Sequence, residues 1–478
     1  MKQLNITYCK STGLNSFFDT INQITIHDTP FAGGGFGSIY HCNSFNGNNT
    51  APVPQVVKIF KESSDGRNEH SWKTISKLQD CMISEVEKLR VNNLQFTNEY
   101  PALIGLPQFT FIGKLDGKEV RGYVSTNLSS IGCYPFDKIR EDIGLFNDFY
   151  ERNLQDKYIM CYHLARAFRL LMKNNFIHAD LSADNIFVSS NEPFCAIIDF
   201  DSGAIVEKLE DNPSTWGKPQ DWLAPEISFQ FSKPGDVISI NLFTDIWAVA
   251  TAINYFLLSM PAYFLTDLSE NSLRYYTQKY KWPNIDVIDK NFNEDLIDHY
   301  PIFIENANGL PVSVFKEFEC TFTNGVFDPT LRTSYYKWEL ILKDLIPVDK
   351  RKISWSQISI PGGVITSGNL PPIQPSPPIP PSSEEIKTYI NDLVLDIVFE
   401  GENIERHKFF IADMAKKSSL DGKSIVTEID DFLELYQDVI QDKVITRFEK
   451  TSLLNQAKLA MIETKTVEKL IKKYEYRD

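Results

Sequence analysis

Twenty consecutive residues, IWAVATAINYFLLSMPAYFL at 246–265, carry no charge, and this limits the fold more than anything else in the chain. Such a run either crosses a bilayer or is wrapped by protein on every side. Pro261 halts a helix inside the run, so we read a fully buried core helix that ends there. A helix of that kind needs a large core around it, and 478 residues supply one. They also exceed what one core usually organises, so two or three domains are expected.

The patterning divides the chain. Up to about residue 125 it is strand-like, with β-branched and aromatic runs (QITIHD, SIYHC, QVVKIF, QFTFIGK, VRGYVST) broken by Gly, Asn and Asp. A mostly antiparallel sheet follows, with Asp116-Gly117 as a hairpin turn and residues 71–91 as one interrupting helix. From about 146 to 347 helical spacing dominates, as in YIMCYHLARAFRLLMK. Residues 359–383, SIPGGVITSGNLPPIQPSPPIPPSS, are saturated with Pro, Gly and Ser. They read as an extended linker, with P-x-x-P content that also suits an SH3-type partner.

Beyond the linker, Ile386, Tyr389, Ile390, Leu393, Val394 and Ile397 repeat at three and four. So do Ile425, Ile429, Phe432, Leu433, Tyr436, Val439 and Ile440. Four helices or so are expected, with Ser424 and Thr451 as N-caps. This segment reads as a bundle that binds a partner or regulates, or as a packing accessory. The expected division is an N-terminal extension at 1–24, a β-rich lobe at 25–127, an α-rich lobe at 128–347, the linker at 348–383 and a helical domain at 384–478.

Charge and cysteine usage exclude several function classes. A formal net charge of -15 disfavours nucleic acid and anionic lipid, because both are bound by clustered Lys and Arg. The seven cysteines (Cys9, Cys42, Cys81, Cys133, Cys161, Cys195, Cys320) are scattered without a C-x-x-C pair. Neither a disulfide framework nor a zinc site is indicated, and a reducing cytoplasm is the expected compartment. The start, MKQLNITYCKSTG, lacks the apolar core of a signal peptide and reads as a first short strand.

Several residues carry chemistry. In FAGGGFGSIYHC at 31–42 the glycines let backbone N–H groups approach an anion closely. Lys58 lies in the middle of the apolar strand VVKIF, where burial demands an anionic partner. A nucleotide phosphate is one candidate. Glu85, on the helix in SEVEKLR, is another, with Glu87 about 100° away on the same helix as the alternative. In HADLSADN at 178–185, Asp180 is placed to accept a hydroxyl proton and Asn185 to give an oxygen to a hard cation. Fourteen residues after Asn185, Asp199 ends the apolar run AIIDFDSG and offers a second oxygen. A metal, a cation on the phosphates and a carboxylate at the nucleophile are the parts of phosphoryl transfer.

On these residues the chain resembles the eukaryotic-type (Hanks-type) protein kinase superfamily over about 25–347. AGGGFGSI resembles the family's glycine loop, over Ala32, Gly33, Gly34, Gly35, Phe36, Gly37 and Ile39. The resemblance implies a bilobal α+β fold with ATP and Mg²⁺ (or Mn²⁺) between the lobes. It implies Lys58 as the phosphate-binding lysine, Glu85 as its helix partner, Asp180 as the catalytic carboxylate, and Asn185 and Asp199 as metal ligands. The adenine hinge would lie at Tyr123 to Asn127, with Val124 and Asn127 in contact. Further on, DWLAPEI resembles the A-P-E motif at Ala224, Pro225 and Glu226. TDIWAVA resembles the start of the family's buried helix, and DPTLRTS its closing motif, so Arg332 would pair with Glu226. The implied activity is transfer of the γ-phosphoryl group to Ser or Thr hydroxyls of proteins, autophosphorylation included.

The chain also departs from that pattern. Ala179 stands where the family has Arg, Ser182 where it has Lys, and Asp201 where D-F-G has Gly. Lys218 is expected to supply the cation missing at Ser182. H-A-D-L and I-D-F-D also resemble small-molecule kinases of the aminoglycoside and choline type, and a nucleotide-binding pseudokinase scaffold is a third reading. Runs such as IDFDS at 198–202 are similar to those of bacterial kinases linked to a PP2C-type phosphatase. The resemblance therefore implies a bacterial signalling context and such a counterpart.

Overall fold

The computed structural model describes the chain except for residues 15–19, 34–36, 48–53, 62–66, 93–94, 191, 207–212, 216–221, 231–237, 264, 266–268, 285–293, 352–382, 401–403, 405–407, 409–410, 413–414, 416–419, 441–443, 473 and 478. The chain forms two compact units, Met1–Ser367 and Gly368–Asp478.

The first unit begins with a sheet of β1 (Lys2–Ser11), β2 (Gln23–Ile26), β3 (Ala32–Gly33), β4 (Gly37–Phe45), β5 (Gln55–Phe60), β6 (Phe109–Leu115) and β7 (Lys118–Thr126). The order is β2-β1-β6-β7-β5-β4-β3, and a further pairing of β2 with β4 closes it on itself. Closure leaves these strands without a long open edge. It also corrects the expected division of the chain, because Lys2–Ser11 is built into the sheet between β2 and β6 rather than preceding the lobe as an extension.

Inside the closed sheet Leu4, Ile24, Phe45, Val57, Ile59, Phe109, Phe111 and Val124 make a core of their own. Strand alternation sends neighbouring side chains to the opposite face. Thus Val57 and Ile59 enter this core, while Lys58 and Phe60 face the rest of the unit, where Phe60 joins the larger core. The Asp116-Gly117 turn forms between β6 and β7 with φ of 52° and 80°, the left-handed pair that a tight hairpin requires. The interrupting helix is α1 (Arg67–Val91), which buries Ile75, Leu78, Met82 and Val86.

The second lobe is helical. Its uncharged run forms α3 (Thr244–Leu258), with every residue buried, and it follows α2 (Leu154–Lys173). The helix stops at Ser259, in left-handed conformation, two residues before Pro261. At 15 residues it spans about 22 Å, and no described helix is long and apolar enough to cross a membrane. Against it pack α2 and aromatic side chains that include Phe136, Trp222 and Phe322, and α4 (Tyr335–Asp344) packs in turn on α2.

The unit at Gly368–Asp478 has its own core, with Ile390, Leu393, Ile429, Phe432, Leu453 and Leu470 at its centre. Its helices include Ser383–Glu400, Gly422–Val439, Arg447–Leu459 and Thr464–Ile471. The expected caps shift upstream. Asp421 caps the second of these helices by accepting from Lys423 N and Ser424 N, so Ser424 is already inside the first turn. Thr446 caps the third through a reciprocal bond pair with Glu449, and Thr451 lies mid-helix with its hydroxyl on the Arg447 carbonyl. Asn391 ties the first helix to the last: its Oδ1 accepts from Glu463 N at 2.8 Å and from Thr466 Oγ1 at 2.6 Å.

Candidate active site

Two short pairings frame the site. Phe176–Ile177 pairs with Ala204–Ile205, and Ile186–Ser189 with Cys195–Ile197. The first pairing brings residue 178 beside the segment 199–203, so the loop bearing Asp180 and the loop bearing Asp199 leave one small framework together.

The Asp180 loop hangs from α3. Asp245, in the first turn of that helix, accepts from His178 N at 2.6 Å and from Ala179 N at 2.9 Å. The two bonds hold Ala179 at a φ of 65°, a left-handed conformation that a residue with a Cβ rarely adopts. Burial pushes the Asp245 carboxyl up to about 6, against these two donors. His178 is fully buried, and its Nε2 bonds to the Ile198 carbonyl at 2.9 Å, one residue before Asp199. Burial depresses the ring to about 4, so His178 is a neutral post between the two loops, with Nε2–H as the donor.

Asn185 reaches back across the loop. Its Nδ2 donates to the Asp180 carbonyl at 2.7 Å and to Asp180 Oδ2 at 3.3 Å, which leaves the amide oxygen Oδ1 at the other end. Asp180 also accepts weakly from Ser202 Oγ at 3.5 Å. Burial, followed by the neighbouring Asp199 charge, pushes the Asp180 carboxyl up to about 7. A carboxylate with that proton affinity is a far better base at neutral pH than an ordinary one.

Lys58 enters from β5 and is 6 % exposed. Its Nζ bonds to Asp199 Oδ1 and, at 2.8 Å, to Asp201 Oδ1. Burial opposes the ammonium charge, but Asp199 and Asp201 outweigh it, and Lys58 is held protonated well above its ordinary range. Between the two carboxyls Asp199 keeps the charge, because Lys58 overcomes the cost of burial, whereas burial and the Asp199 charge together hold Asp201 above the usual carboxylate range. The hydroxyl of Tyr123, the residue opposite Lys58 on β7, reaches Asp201 Oδ1 at 3.5 Å.

The expected Lys58–Glu85 pair is not formed. Glu85 accepts from Lys88 Nζ at 2.8 Å, one turn along its own helix, and Glu87 is exposed. Lys58 is instead satisfied by two carboxylates from the helical lobe. In the sequence Asp201 stands out only as a departure at a glycine position, and no local pattern points to its pairing with a lysine on a distant strand.

The nucleotide-side expectations divide. Gly34, Gly35, Phe36 and Lys218 lie outside the described residues. Ala32 and Gly33 pair with Ile39 and Ser38. A Cβ on Gly37 would stand 2.9 Å from the Ile59 carbonyl and 3.2 Å from Lys58 Cγ, so only glycine admits this close approach beside the lysine. Val124 is corrected: its side chain is sealed in the sheet core and its carbonyl accepts from Gln108 N at 2.9 Å. Ser125, one residue on, shares the face of Tyr123 and is 7 % exposed. Asn127 N is taken by the Pro54 carbonyl at 2.9 Å. Downstream, Arg332 and Glu226 pair as the resemblance implied.

A family model described as protein tyrosine and serine/threonine kinase matches residues 26–284. The chain belongs to the protein kinase family. No curated protein matches it.

The match covers Lys58, Asp180, Asn185, Asp199 and Glu226, and the two-lobed fold is that of a kinase domain: a strand-rich N-terminal part and a helical C-terminal part. Kinases of this family generally use ATP and Mg²⁺. Among the described residues no cluster of three or more His, Cys, Asp or Glu side chains is gathered for a metal. The donors nonetheless suit Mg²⁺, a hard cation that takes one or two carboxylates and fills its shell with waters and substrate phosphates. Asn185 and Asp199 present oxygens, and the buried Asp201 Oδ2 has no hydrogen-bond partner. Sulfur and imidazole donors are not part of the set.

Proposed function

We propose that this kinase transfers the γ-phosphoryl group of ATP to serine or threonine hydroxyls of protein substrates, itself included. The carrying observation is that one site joins Lys58 to Asp199 and Asp180 to Asn185, although these residues come from both lobes. Lys58 holds the nucleotide phosphates. Asp180 orients the acceptor hydroxyl and takes its proton as that oxygen bonds to the γ-phosphorus and the bond to ADP breaks. Asn185 and Asp199 would hold Mg²⁺ or Mn²⁺, which supplies charge neutralisation on the phosphates when bound. Serine and threonine are favoured because the catalytic loop, HADLSADN, lacks the form that resembles tyrosine kinases. The free thiols of all seven cysteines agree with a reducing, cytoplasmic setting.

The test is incubation of the pure protein with labelled ATP and Mg²⁺, alone and with a generic protein substrate, beside Asp180→Ala and Asp199→Ala. Label on serine or threonine in the wild type, lost in both variants, is the expected result. Label on tyrosine would overturn the acceptor assignment. Label only on an aminoglycoside-like small molecule would overturn the protein substrate, and nucleotide binding without transfer would mark a pseudokinase.

A further inference from the structure

We propose, on the phosphotransfer reading above, that Asp201 is the fixed anchor that positions Lys58 for the nucleotide, and that Glu85 on α1 has no part in that task. Three observations carry this. Lys58 Nζ lies 2.8 Å from Asp201 Oδ1, while Glu85 is engaged by Lys88. The two aspartates differ in their surroundings: the Asp199 side chain is 28 % exposed, whereas that of Asp201 is 0 % exposed. Asp199 can therefore turn toward solvent and a cation, and Asp201 stays behind with Lys58. Finally, Asp201 sits on the short turn Phe200–Ser202, whose Phe200 is fully buried with its ring 5.1 Å from His178 and 6.2 Å from Phe176.

The consequence is mechanical. A lysine anchored from α1 would be in place only when that helix is correctly set. A lysine anchored from the segment that carries Asp199 is in place whenever the catalytic loops are folded. Asp201 is thus a positioning residue acting through Lys58, and the lysine site is assembled without any movement of α1. It also accounts for an aspartate at this position, because glycine offers no carboxylate to Lys58.

The experiment compares Glu85→Gln and Asp201→Asn in the full-length protein, reading KM for ATP, kcat and affinity for a fluorescent ADP analogue in Mg²⁺-free buffer. Glu85→Gln is expected to leave all three within about threefold, since among the described residues the ion pair of Glu85 is with Lys88, a half-exposed lysine one turn along its own helix. Asp201→Asn is expected to weaken nucleotide binding ~10- to 100-fold, the scale of one charge-assisted hydrogen bond. In a Lys58→Ala background the Asp201→Asn effect on nucleotide affinity should vanish, because the two act as a unit; a merely structural aspartate would still weaken it. Loss of transfer in Glu85→Gln with the wild type active would overturn the proposal, even if Asp201→Asn failed to fold. An inactive wild type that binds no nucleotide would instead sink the phosphotransfer reading.

Discussion

Arg332 grips Glu226 with both terminal nitrogens, Nη1 to Oε1 at 2.9 Å and Nη2 to Oε2 at 2.5 Å, across 106 residues of chain. The guanidinium also bonds the carbonyls of Gly325 (2.8 Å) and Phe243 (3.2 Å) and lies 5.2 Å from the Trp247 ring centroid. One side chain thereby joins the segment ahead of α3, α3 itself and the loop before α4. Because the Arg332 side chain is fully enclosed, Arg332→Ala would strand Glu226 and two carbonyls, and should cost about 3 kcal/mol. Urea denaturation of the two proteins measures this; a loss below about 1 kcal/mol would show that the pair is dispensable.

Asp245 is expected to act on rate. Asp245→Ala releases the His178 and Ala179 N–H groups and frees Ala179 to leave its φ of 65°. Asp180, the next residue, then loses its alignment, and kcat should fall by roughly 100-fold. KM for ATP should change far less, since Asp245 holds the Asp180 loop and Lys58 is held by Asp199 and Asp201. Steady-state kinetics with variable ATP separates the two.

Acid should destabilise the kinase unit through His163. This residue is fully buried, neither ring nitrogen has a hydrogen-bond partner, and burial depresses it to about 3, with Arg166 adding to the effect. The unfolded chain takes up a proton near pH 6.5 and the folded one does not until about 3. Stability from this group is therefore complete above pH 6.5 and is lost as pH falls toward 3, by up to ~1.4 kcal/mol per pH unit. His163→Leu should flatten the slope between pH 6.5 and 5 in denaturant titrations; an unchanged slope would refute the assignment.

Gly122 should tolerate no side chain. A Cβ there would stand 2.2 Å from the Lys58 carbonyl and 2.7 Å from Phe111 Cζ. Gly122→Ala must push β5 away from β7, at a cost of ~1–3 kcal/mol. It should also lower nucleotide affinity, because the displaced backbone is that of Lys58. Thermal denaturation and ATP-analogue binding should fall together.

Features whose cause is local are legible in the sequence. Asp116-Gly117 encodes its own turn, because the two left-handed conformations belong to those residues. Strand alternation puts Lys58 on the face opposite Val57 and Ile59, and the uncharged run 246–265 can only be a buried helix or a span. The helix caps are less legible. A cap depends on which residue starts the helix, and Asp421 and Thr446 win because their oxygens meet the first free N–H groups.

The sequence by itself determined the parts: a set of short strands, a buried helix, and an aspartate, an asparagine and a lysine in the order of a kinase. Only the tertiary structure decided how they pair. Whether Lys58 met Glu85 or Asp201 turned on which carboxylate was carried to it, and the buried turn at Phe200–Ser202 carries Asp201 there while α1 leaves Glu85 with Lys88. The closure of the sheet by β1 and β2 is of the same kind. Hydrogen-bond and charge partners far apart in the chain are selected by packing, and no local periodicity records that choice.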